Sequence, residues 1–116
     1  MTPENKWKWF GHAGHFCGGN SCRFHLCTKV GKYLISSVGD YYCNDKRKTL
    51  GAGDDSFFET YVFRVTYGVK CTNKTCNCKL PNIDLSEIEG IRTATAGAAA
   101  KTHMAMCQKY SKRVVK

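Results

Sequence analysis

The 116-residue chain is short of aliphatic bulk: Leu, Ile, Val and Phe number 22. No apolar run approaches the 18 residues a membrane-spanning helix needs, which excludes such a helix. Acidic residues are scarce, 9 against 18 Lys and Arg, so the formal net charge is +9. The opening MTPENKWKWF lacks an apolar h-region, so no secretory signal is expected and the expected location is the cytoplasm. No C-x2-C pair occurs among the 8 cysteines, which removes the ribbon and treble-clef zinc patterns. No G-x4-G-K-[ST] run is present either, so the glycines at 11, 14, 18 and 19 are not read as a phosphate loop.

Few aliphatics with high net charge is the composition of a disordered chain. Against that stand 14 aromatics, including Trp7 and Trp9, and the 8 cysteines. The composition therefore predicts one folded domain, 1–116, with a thin core that needs a covalent or metal staple. In a reducing compartment the cysteines read as metal thiolates, with a disulfide framework as the alternative.

The clearest local signal is residues 22–43. Phe24, Leu26, Thr28 and Val30 alternate with Arg23, His25, Cys27 and Lys29, and Gly31-Lys32 suits a type II′ turn. The turn sets a register in which Val30 faces Tyr33, Thr28 faces Ile35, His25 faces Val38 and Arg23 faces Asp40. Arg23, His25, Cys27 and Lys29 then form one polar row. Residues 44–56 read as a polar loop, and 57–67 alternate as a third long strand. Asp84 and Glu87 have capping-box spacing, which allows a short helical turn near 85–89. An alanine-rich helix follows, capped by Thr93 or Thr95 and running to about Lys112. The fold class is α+β: a small antiparallel sheet of three or four strands, with one tight hairpin at 22–43, packed by a C-terminal helix and stapled by zinc.

The main ligand group is Cys71, Cys76 and Cys78 in a loop with His103 and Cys107 on the helix. His103 and Cys107 are at i, i+4 and leave the helix on one side. Five side chains compete for the four positions of a structural zinc site. A second zinc could sit among His12, His15, Cys17 and Cys22. The same histidines also admit a catalytic reading, in which His12, His15 and His25 move protons and Arg23 anchors a phosphate. The bland alternative is that the histidines are satisfied by backbone carbonyls. Trp7, Trp9 and Phe10 beside Lys6 and Lys8 could stack on bases or tie the terminus to the core.

The run W-x-W-F-G-H-x-x-H-F at 7–16, then C-R-F-H-L-x-T-x-V-G-x-Y-L-x-S-x-V-G-x-Y at 22–41, resembles small uncharacterised Cys/His-rich proteins of tailed bacteriophages and prophages. The resemblance continues through Tyr61-Val62-Phe63, the Cys76-x-Cys78 loop and the helix around Ala99–Tyr110. It implies a phage-encoded protein acting in a bacterial cytoplasm, and carries no activity with it. Related sequences place a cysteine one position after Cys17 and lack Cys27 and Cys43, which makes those two poor ligands.

Three functions follow as expectations. The first is a non-enzymatic zinc-binding accessory protein, with nucleic acid or an acidic host protein as partner, serving host takeover or anti-defence. The second is a small metal- or His-dependent hydrolase acting on nucleic acid or a nucleotide. The third is a purely structural zinc module.

Overall fold

The computed structural model describes residues 7–10, 22–50, 56–69 and 80–112. Seven strands and one helix occur among them. These are β1 (Trp7–Phe10), β2 (Cys22–Val30), β3 (Tyr33–Cys43), β4 (Lys46–Lys48), β5 (Phe58–Val69), β6 (Pro81–Ile83), β7 (Glu89–Thr93) and α1 (Ala96–Ser111). The sheet runs β1-β2-β3-β5-β6, with β4 on the end of β3 and β7 on the first half of β5. Every pairing is antiparallel.

The long strands and the helix follow their local patterns. Val30 pairs with Tyr33, Thr28 with Ile35 and His25 with Val38. Gly31 takes φ 61 while Lys32 stays out of the left-handed region, as a type II′ turn requires. The helix begins at Thr95, whose hydroxyl accepts from the Ala98 amide at 3.1 Å.

Four short strands join the three long ones, making seven where three or four are expected. The segment 44–56 contains β4, because Asn44 and Asp45 take φ 53 and 63 and so close a type I′ turn. No helical turn forms at 85–89. Asp84 instead accepts from the Ser86 amide at 2.9 Å, an Asx turn that feeds the chain into β7. Arg92 of β7 reaches the Tyr61 hydroxyl at 2.9 Å and Glu59 at 3.8 Å, and Lys109 and Tyr110 of α1 donate to Glu89. The expected Arg23–Asp40 pair gives way to other partners. Asp40 takes Arg47 at 2.7 Å, and the Arg23 guanidinium stacks 3.7 Å above the Tyr42 ring.

The sheet is buried on both faces. On one, Val30, Ile35 and Val62 meet Met106, Cys107 and Tyr110 of α1, with Trp7 and Tyr33 alongside. On the other, Cys27 and Leu34 pack with Phe10 and Leu80, flanked by Val65 and Ile83. Alternation puts neighbouring residues of one strand into different cores. Gly39 is needed because the Phe58 ring lies where its Cβ would be. No helix among the described residues is long and apolar enough to cross a membrane.

Candidate functional site: a buried histidine hub and a basic groove

His103 points from α1 into the sheet and is fully buried. Its Nε2 lies 2.8 Å from the Thr28 hydroxyl, and its Nδ1 lies 2.8 Å from the Ser37 hydroxyl. Ser37 in turn bonds Thr60 at 2.7 Å. A neutral imidazole has one donor and one acceptor nitrogen. One of the two hydroxyls therefore accepts from the ring and the other donates to it. Burial drives the His103 pKa from 6.5 down to about 4, so the ring is neutral at pH 7. Cys107, one turn on, is also buried, and burial pushes its thiol up to about 11, a hydrogen bond from Thr28 partly opposing the rise. The Trp9 ring, half exposed, covers the imidazole at 5.4 Å between centroids.

The hub thus joins the helix to β2, β3 and β5 through hydroxyls from each. Both imidazole nitrogens are engaged, and the site is closed to solvent. As arranged, it is a polar packing device and not a substrate pocket. The alternation of β2 and β5 places Thr28 and Thr60 at apolar-face positions, beside Val30 and Val62. A hydroxyl on each of three strands, all on one core face, was the available signal for a buried polar partner.

Of the zinc group, His103 and Cys107 share a side of α1 as their spacing requires. Cys71, Cys76 and Cys78 lie outside the described residues. Leu80 lies in the core on the opposite face of the sheet from the helix. A zinc that took His103 would displace one of its two hydroxyl partners. Among the described residues, no three His, Cys, Asp or Glu side chains come together as a metal site. Of the second group, His12, His15 and Cys17 lie outside the described residues. Cys22 is half-buried opposite Tyr41, and burial raises its thiol pKa.

Arg23 and His25 are exposed on one face of β2, as the alternation predicts. Cys27 departs from the polar row, since Phe10, Leu34 and Leu80 enclose it. Lys29 continues the row into a groove of about 440 Å³, lined by Lys29, Gly31, Lys32, Val65, Thr66 and Tyr67. Lys8 pairs with Lys29 across β1 and β2, and its amine sits 5.3 Å from the Phe10 ring centre. Tyr67 is fully exposed. The groove therefore offers two lysines, a hydroxyl and an uncovered aromatic face, with Lys8 as a third cation beside it on β1. β5 continues past the 31–32 turn, so the Tyr67 ring stands beyond the end of the hairpin.

No protein-family model, no curated protein and no solved structure matches this chain.

Proposed function

We propose that this protein is a non-enzymatic binder of single-stranded nucleic acid, and that the groove beside the 31–32 turn is its binding site. The observation that carries the reading is a fully exposed Tyr67 above a groove walled by Lys29 and Lys32. Lysines track phosphates, and an uncovered ring stacks on a base of any identity. An acidic protein would use the same charge but has less use for the ring, so the tyrosine favours nucleic acid. The resemblance to phage proteins supplies a setting, the cytoplasm of an infected bacterium. Zinc on ligands drawn from Cys71, Cys76, Cys78, His103 and Cys107 belongs to the same reading as a staple for the thin core, and metal analysis of the purified protein tests it.

The binding test is titration of a fluorescent oligothymidylate over a range of salt. Each phosphate neutralised on a single strand contributes about −0.7 to the slope of log K against log salt. Three lysines therefore predict a slope near −2. Lys29→Ala with Lys32→Ala should bring it to about −0.7. Tyr67→Ala should weaken binding by roughly 5-fold to 100-fold without changing the slope, as loss of one stacked base implies. A flat salt response, or acidic peptide bound as well as oligonucleotide and indifferent to Tyr67, overturns the reading.

A further inference from the structure

We infer that a pinned bulge in β5 sets the stacking platform of the groove, with Asn82 as the positioning residue that acts on the ligand through Tyr67. The inference rests on the nucleic-acid reading of the groove and deepens it. β5 and β6 pair at Val65↔Ile83 and again at Val69↔Pro81. Thr66, Tyr67 and Gly68 therefore stand opposite Asn82 alone, three residues against one. The longer side must bow out of the ladder, and a bulge of this kind re-aims a side chain. Thr66 and Gly68 are exposed, and Tyr67 between them is fully so. Phe63 and Val65, at the preceding alternate positions, are buried and half-buried.

Two features hold the bow in one shape. The Asn82 side chain reaches across it, and its Nδ2 donates to the Tyr67 carbonyl at 3.1 Å. Gly68 returns the chain at φ 94, a region open to glycine and unfavourable for residues with a Cβ. A Cβ on Gly68 would also meet that same Nδ2 at 2.7 Å. The bond anchors the backbone that carries the ring. An exposed ring on an anchored backbone has less freedom to lose when a base stacks on it. Asn82 does not line the groove, so its effect passes through Tyr67 and not through the ligand.

The test is a double-mutant cycle read by titration of the fluorescent oligothymidylate. Asn82→Ala should weaken binding about 2-fold to 10-fold, the cost of ordering one freed side chain on binding. The salt slope should not change, since no phosphate contact is lost. In a Tyr67→Ala background the same substitution should have no effect, and in a Lys29→Ala background it should keep its full effect. Asn82→Leu keeps the bulk, removes the donor and should match Asn82→Ala. Gly68→Ala, whose methyl crowds the Asn82 amide, should weaken binding in the same way. Relaxation of the Gly68 amide reads the anchor without ligand. Its order parameter should fall from the rigid-backbone value of roughly 0.85 toward about 0.6 in Asn82→Ala.

If Tyr67→Ala weakens binding while both Asn82 variants bind as wild type does, the positioning role is overturned and the groove stands. The same holds if Asn82→Ala weakens binding equally with and without Tyr67. If wild type binds no oligothymidylate, or Tyr67→Ala binds as well as wild type, the nucleic-acid reading is overturned and the positioning role with it.

Discussion

On the helix side of the sheet, Thr28 and Ser37 meet an imidazole, with Thr60 behind Ser37; on the other side, Cys27 and Leu34 from the same strands meet Phe10 and Leu80. The apolar core tolerates many similar fillings, because dispersion and hydrophobic burial have no direction. The hub does not. Its two ring bonds are met only when α1 sits at one height and one rotation, since a one-turn slide would leave the His103 ring unpaired in a dry interior and take it from Thr28 and Ser37. In a domain with so few aliphatics, directional bonds fix the position that bulk packing would leave loose.

That contrast can be broken most directly at its centre. His103→Ala should cost about 4 kcal/mol in urea unfolding, combining a cavity with the loss of two buried hydrogen bonds. Restoring bulk while removing every polar partner, as His103→Leu with Thr28→Val, Ser37→Ala and Thr60→Val, should recover most of the loss. If the combined change is as damaging as His103→Ala, the hub's polarity matters less than its shape. Leu34→Ala on the apolar side should cost about 3 kcal/mol.

On the helix side, acid should act through His103. The folded pKa of His103 lies below its unfolded value of 6.5, so the unfolded chain takes up the proton first. Its contribution is full above pH 6.5 and declines as pH falls to about 4, by about 3 kcal/mol in all. Cys107 mirrors this at high pH. Its raised pKa means that the unfolded chain loses the proton first, so stability declines from about pH 9 toward 11. Unfolding curves of wild type and His103→Ala across pH should differ by the acid limb; parallel curves would remove His103 as its source.

Smaller effects sharpen the same picture. Gly39→Ala should cost about 2 kcal/mol, because the new methyl meets the Phe58 ring, and thermal melting would show it. Gly97→Ala, in the open first turn of α1, should stabilise by about 0.5 kcal/mol or somewhat more. A loss there would mean the helix start is packed against something further.

Much of the architecture was legible where a signal lies within a few residues. Gly31-Lys32 fixes the hairpin, and each partner from Thr28–Ile35 to Val30–Tyr33 follows by counting. Thr95 and the alanines fix the helix start. β4, β6 and β7 were not legible, since three to five residues carry no period. β7 forms because Arg92, Glu89 and their partners on β5 and α1 hold it there.

The sequence by itself determined the α+β class, the hairpin register and the shared side of His103 and Cys107 on the helix, because each depends on short-range backbone geometry. Only the tertiary structure decided what His103 does. Its partners are 75 and 66 residues away in the chain. A histidine four residues before a cysteine looks the same whether it will bind zinc or two hydroxyls. The choice belongs to the neighbours that folding brings to it, and among the described residues those neighbours are Thr28 and Ser37. The basic surplus was plain from composition, but its gathering into a groove beneath Tyr67 depended on β5 running past the 31–32 turn, a long-range pairing that composition does not encode.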